Sequence, residues 1–306
     1  MSVTVLDPST FDWHRGAGGA DDVRRITRLS EEHDGRGALD EAAVLALRNR
    51  GLADARVVTV ELDGSVEGFA YVHGLGSGEP AIDLVVSPHA RRQGLGLALA
   101  EAALGATGRD AGLTAWAHGN HPGSAVLAKH CGFEVVRELW LMRRPDTLAM
   151  EVATPDGFTI RPYRPGQDDN AFLDVNAAAF ASHPEQGALD RRGLLERMAE
   201  PWFDPEGFLV AEHDGQLVGF HWTKVHVDGR RRPARGEVYV IGVAPDAQGS
   251  GIGRSLLAAG LGHLRRQGLG EVILYVEAEN VGAVRLYEKN GFSHAPVDTD
   301  VMYARG

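Results

Sequence analysis

The chain has one cysteine, Cys131, in 306 residues. A lone thiol rules out a disulfide within the chain and suits a reducing compartment, so a cytoplasmic protein is expected. Cys131 precedes Gly132-Phe133 at an expected helix end and reads as a buried structural thiol, not a nucleophile. Positive charge is short as well: 31 Lys and Arg stand against 42 Asp and Glu, for a formal net charge of −11. That balance argues against a nucleic-acid partner. The one basic run, Arg230-Arg231-Arg232, lies in a Gly/Pro-bounded loop and reads as a solvated hairpin tip. No apolar run approaches the ~20 residues of a membrane helix. The opening Met1-Ser-Val-Thr-Val-Leu-Asp has neither the basic nor the apolar region of a signal peptide, so no membrane association is expected.

What is present is a repeat. The first half opens irregularly, then has a helical pattern from about Ala42 to Arg48. Arg56–Glu61 and Val66–Tyr71 flank Asp63-Gly64, a hairpin signal. Ile82–Val86 is a strand followed by Pro88, the glycine loop Arg91-Arg92-Gln93-Gly94-Leu95-Gly96 and an Ala/Leu helix. Leu113–Ala117 is a strand, Gly123–His130 a helix, and Leu139–Met142 a last strand. A Pro- and Asp-containing linker runs from about 144 to 157. The order then recurs: strand Phe158–Pro162, helices to about Met198, and a hairpin at Asp214-Gly215. Strand Val238–Val243, a second glycine loop, strand Val272–Val276 and helix Val281–Lys289 complete it. Pro88 falls on Pro245, Gly94 on Gly251 and Gly96 on Gly253, each 157 apart; Gly132-Phe133 falls on Gly291-Phe292, 159 apart. Matching of glycines, prolines, hairpins and element order together indicates a tandem duplication of one mixed α/β domain. The expected domains are 1–145 and 158–306.

Strand Val238–Val243 ends near Pro245, and Gln248-Gly249-Ser250-Gly251-Ile252-Gly253-Arg254 then opens a helix. Glycines let backbone N–H groups approach a phosphate, and a helix N-terminus favours negative charge. No Gly-Lys-Ser/Thr closes the loop, so it is not a Walker loop, and the third glycine of a dinucleotide fingerprint is missing. The pattern Gln/Arg-x-x-Gly-x-Gly/Ala after such a strand resembles the pyrophosphate loop of GNAT-type N-acetyltransferases. Asn280-x-x-Ala283-x-x-Leu286-Tyr287 followed by Gly291-Phe292 resembles their other signature.

The resemblance implies two tandem GNAT-like domains, each a twisted mixed sheet flanked by helices, with acetyl-CoA as co-substrate and no metal. In the second half it implies coenzyme contacts at Ile241, Gly242, Val243, Gln248 to Arg254, Asn280 and Arg285. Gly242 is the expected site of a bulge freeing N–H groups for the thioester oxygen. Tyr287 matches the tyrosine that protonates the leaving sulfur, and Glu237, at the start of the strand, is placed to act as a base. Ordinary readings stand beside these: a packing tyrosine and an exposed strand-end glutamate.

In the first half Leu84, Val85, Val86 and Arg91 to Gly96 keep the coenzyme pattern. Yet Ala128 stands for Tyr287, His121 for Asn280 and Pro80 for Glu237, so binding without catalysis is expected. His118 and His121 are candidate substitutes, with exposed turn histidines as the ordinary reading.

A tandem with an eroded first half resembles the mycothiol synthase family. Ala179–Gly187, Phe220–Lys224, Gly236–Val240 and Leu274–Glu277 match its substrate-side segments. That resemblance implies a cysteinyl-glucosaminyl-inositol acceptor, met by Glu185, Lys224, Glu237 and Tyr275, with Glu41 as a further candidate. Lys224 as a plain hairpin lysine and Tyr275 as a sheet-packing residue are the bland alternatives. Acetyl transfer to another small amine or a protein N-terminus, and a non-catalytic acyl-CoA-binding regulator, are the rival functions. A monomer is expected, although the sequence leaves the oligomeric state open.

Overall fold

The computed structural model describes residues 1–76, 80–107, 112–181, 184–226 and 234–306. Contacts divide the chain into two compact units. One holds residues 1–140, 277–279 and 296–306; the other holds 141–276 and 280–295.

The elements of the first stretch are β1 (Ser2–Val5), α1 (Ala20–Asp34), α2 (Glu41–Arg50), β2 (Ala55–Leu62), β3 (Ser65–His73), β4 (Ala81–Val86), α3 (Leu95–Thr107), β5 (Leu113–Ala117), α4 (Pro122–His130) and β6 (Glu134–Pro145). Then follow β7 (Phe158–Pro162), α5 (Asp169–Ala179), α6 (Pro184–Gly187), α7 (Arg191–Met198), β8 (Phe208–His213), β9 (Gln216–His226), β10 (Arg235–Val243), α8 (Ile252–Arg266), β11 (Glu271–Glu277), α9 (Val281–Lys289) and β12 (Ser293–Arg305).

In the first unit the strand order is β1-β2-β3-β4-β5-β12. β1 to β4 run antiparallel, β4 and β5 parallel, and β12 pairs antiparallel with β5, Val301 opposite Ala117. In the second unit β7, β8, β9 and β10 are antiparallel neighbours and β11 lies parallel to β10. Both sheets are mixed, as expected.

Strand alternation sorts side chains to two covered faces. In the first unit Val57, Phe69 and Tyr71 pack with Val23, Ile26 and Leu47 of α1 and α2, while Val58, Val60, Ala70 and Val72 pack with Leu95 and Leu99 of α3. In the second unit Phe208, Val210, Phe220 and Trp222 meet Phe172 of α5 and Leu194 of α7, whereas Leu209 and Ala211 meet Ile252 and Leu256 of α8. Phe208 and Trp222 stack at 4.4 Å, and Phe172 meets Phe208 edge-on at 5.0 Å. Such pairs each add about 0.5–1.5 kcal/mol beyond their burial.

The two hairpins turn where the sequence signals them. Asp63 and Asp214 sit at φ 52° and 51°, followed by Gly64 and Gly215 at 82° and 76°. The Arg230–Arg232 tip and Ser182-His183 of the expected substrate loop lie outside the described residues.

Candidate active site

β10 and β11 pair only at Gly236–Val238 with Val272–Leu274. Beyond that rung no pair joins them among the described residues, so the strands separate and the β11 side of Val240–Val243 opens. On its other side β10 stays paired with β9, but the register shifts between Val238 and Val240. The extra residue is Tyr239. The bulge expected at Gly242 therefore lies three residues earlier. Gly242 is a glycine for a packing reason: a Cβ there would stand 2.9 Å from the Phe220 ring and 3.2 Å from Ala179.

The glycine loop is built by its own side chains. Gln248 Nε2 donates to the carbonyl of Val243 at 3.2 Å, and Ser250 Oγ donates to that of Ala247 at 2.7 Å. Gly249 and Gly251 take φ of 80° and 91°, a conformation that disfavours side chains. Gly251 caps α8, a 15-residue helix whose positive dipole end lies beside Gly253 and the exposed Arg254; in its first turn the Ile252 N–H donates to Ser250 Oγ at 3.3 Å and the Arg254 N–H to the Gly251 carbonyl at 3.1 Å.

Glu237 is buried, 6% exposed, and lies opposite Lys224 in the ladder. The Lys224 ammonium sits 4.5 Å from the centre of the Trp202 ring and 5.1 Å from that of Tyr239. Arg197 Nε donates to Tyr239 Oη at 2.9 Å. His226 Nε2 stands 2.5 Å from Glu237 Oε2. Glu237 and Lys224 were legible in the sequence as site candidates; Trp202, Tyr239, Arg197 and His226 were not.

Tyr287 lies on α9, 8% exposed, with its ring 5.8 Å from that of Phe292. Burial pushes its hydroxyl up to about 12, so it stays protonated at neutral pH. Asn280 Oδ1 accepts from the Ala283 N–H at 3.1 Å and caps α9, a local role the sequence reading did not give it. Arg285 and Tyr275 are exposed. Glu185 lies in α6, and Glu41 opens α2 of the first unit.

The first unit repeats this frame with parts missing. Among the described residues β4 and β5 pair only at Ala81 and Ile82 with Thr114 and Ala115. The β3/β4 ladder runs from Gly68–Val86 to His73–Ala81 with no register shift. Matching the ladders puts Val86 with Val243, 157 apart, but Ala81 with Glu237, 156 apart, since the bulge adds a residue. Ala81, not Pro80, thus holds the place of Glu237.

Arg91 Nε donates to the Val86 carbonyl at 3.1 Å, as Gln248 does to Val243. The rest of its guanidinium grips Asp34 through bonds of 2.7 and 2.6 Å, so Arg91, expected to meet the coenzyme, braces the loop against α1. Arg92 takes φ 63° where the second loop has Gly249. Gln93 is exposed, Gly94 takes φ 86°, and buried Leu95 and half-buried Gly96 begin α3; Leu84 is half-buried and Val85 buried. His121 Nδ1 accepts from the Gly123 N–H, matching the Asn280 cap, and His118 is held by Asp300.

The model of the Acetyltransferase (GNAT) family matches residues 22–133 and again 176–292. Full-length relatives agree. The mycothiol acetyltransferase of Pseudarthrobacter chlorophenolicus is 43% identical over 98% of both chains. That of Streptomyces coelicolor is 48% identical over 92% of this chain and 90% of its own. The chain belongs to the GNAT acetyltransferases, in the mycothiol acetyltransferase family. Among solved structures, a tandem GNAT protein from the clavulanic acid biosynthesis pathway superposes with a TM-score of 0.72 at 18% identity, covering 99% of this chain and 98% of that one. A GCN5-related N-acetyltransferase from Sphaerobacter thermophilus gives 0.68 at 22%, covering 99% and 95%. At those identities the likeness concerns the fold, and both GNAT units take part in it. Among the described residues no helix is long and apolar enough to cross a membrane, and no His, Cys, Asp or Glu group is placed to hold a metal ion.

Proposed function

We propose that the protein moves an acetyl group from acetyl-CoA to the cysteinyl amine of cysteinyl-glucosaminyl-inositol, the last step of mycothiol biosynthesis. The relatives support the acceptor. The observation that carries the chemistry is the buried Glu237 carboxylate, one residue before the last rung that joins β10 to β11.

The amine attacks the thioester carbonyl directly: a C–N bond forms and the C–S bond breaks. An α-amine titrates at about 7.7–8.0, so much of it is cationic at neutral pH and a base raises the reactive fraction. Glu237 takes that proton, directly or through water. Backbone N–H groups freed at the Tyr239 bulge and along the open edge of β10 meet the oxyanion. Tyr287 returns a proton to the thiolate. The α8 loop, with Ile241 and Val243 at the strand end, Arg254 in α8 and Arg285 in α9, supports holding the coenzyme. Glu185, Lys224 and Tyr275 are the acceptor contacts of this reading.

The first unit binds CoA without turning it over. Its glycine loop supports binding, whereas Ala81, Ala128 and the unbroken β3/β4 ladder leave out base, acid and bulge. The enzyme works in the cytoplasm as a monomer on a small thiol-sugar, and its proton transfers need no metal.

The experiment is acetyl transfer to the cysteinyl-glucosaminyl-inositol beside a panel of plain amines. The thiol-sugar should be strongly preferred in kcat/KM. Equal rates on all amines would remove this acceptor and leave the enzyme class.

A further inference from the structure

We propose that His226 is a positioning residue that aims the Glu237 carboxylate at the acceptor amine; this rests on the reading of Glu237 as the base. His226 ends β9, and the ladder sets it opposite Arg235 while Lys224 stands opposite Glu237. Side chains two apart on a strand share a face. Lys224 and His226 therefore flank Glu237 on one side of the sheet, and His226 Nε2 comes within 2.5 Å of Glu237 Oε2.

An ionised carboxylate has no proton to give, so the imidazole N–H is the donor. Bonds of this charge-assisted kind are short and strong. The terminal torsion of a glutamate is broad by itself. A directional donor on Oε2 removes that freedom and leaves Oε1 as the oxygen that faces a substrate. The exposures fit this division: the His226 side chain is 22% exposed and that of Glu237 8%, so the imidazole holds from the rim while the carboxylate points within. Lys224 supplies positive charge from the other flank, over Trp202 and Tyr239.

Glutamine carries an N–H donor about as far from the backbone as imidazole Nε2, and asparagine stops one bond short. The test is steady-state kinetics of His226→Ala, His226→Gln and His226→Asn in the full chain, and of His226→Ala combined with Glu237→Gln. His226→Ala should lower kcat about tenfold, the scale of one lost hydrogen bond to a charged group, with KM for acetyl-CoA unchanged. His226→Gln should recover most of the loss and His226→Asn little. In the Glu237→Gln background His226→Ala should cost nothing further, because residues acting as a unit are not additive.

A wild-type kcat in His226→Ala overturns the proposal, as does an equal loss in both backgrounds. If Glu237→Gln is impaired and the losses multiply, only the positioning role falls. If Glu237→Gln turns over like the wild type, the base reading falls and takes this one with it.

Discussion

Lys224 faces Glu237 across the β9/β10 ladder, and both side chains are less than a tenth exposed. The lysine is anchored over the rings of Trp202 and Tyr239, so its charge is held beside the carboxylate. Lys224→Met keeps the stem and removes the charge. It should lower kcat/KM for the acceptor about tenfold or more and lose about 0.5–2 kcal/mol of stability with the cation–π contact. Kinetics and urea unfolding check the two parts separately.

Gly242 packs against Phe220, so Gly242→Ala should destabilise the protein by about 1–3 kcal/mol through overpacking. Combining it with Phe220→Leu should recover part of the loss. If Gly242→Ala instead removes activity at unchanged stability, the glycine serves the reaction rather than the packing.

The hairpins and glycine loops were legible in the sequence because they rest on local backbone chemistry: Asp63-Gly64, Asp214-Gly215, Gly94 and Gly251 all take positive φ. The Tyr239 bulge was not, because a register shift is a property of two strands and Tyr239 looks like any strand aromatic. Counting at a fixed 157 then set Pro80 against Glu237, when the bulge makes the true interval 156. Helix α1 went unread because its N-cap, Gly19, makes no side-chain cap bond, although Ala20, Val23, Ile26 and Ser30 bury one stripe. Strand β12 was hidden by Pro296 and by aspartates such as Asp300, which the fold uses to hold Arg36 and His118. The pair His226–Glu237 joins positions in different strands and leaves no mark along the chain.

His221 lies opposite Ile241 and donates through Nδ1 to the Leu256 carbonyl at 2.8 Å. Burial pushes it down to about 4 from its usual 6.5. The unfolded chain therefore binds a proton that the folded one refuses between those values. Stability should be full above pH 6.5 and fall as pH drops toward 4, by about 3 kcal/mol in all. Urea midpoints measured across this range should fall in the wild type and flatten in His221→Leu. Parallel curves for the two proteins would contradict the assignment.

Tyr287→Phe removes one hydroxyl and little volume. Turnover should fall about 10²–10⁴-fold if thiolate expulsion limits the rate, while acetyl-CoA affinity and unfolding temperature stay close to wild type. A turnover equal to wild type would return Tyr287 to a packing role beside Phe292.

Whether Glu237 is the base is read from the kinetics of Glu237→Gln across pH. At low pH the acceptor amine is cationic and depends on a base; at high pH free amine is abundant. On the cysteinyl-glucosaminyl-inositol, kcat/KM of Glu237→Gln should fall about 10²–10⁴-fold at low pH, recover partly at high pH, and show an altered acidic limb. An acidic limb and a low-pH rate that match the wild type would contradict the base role of Glu237.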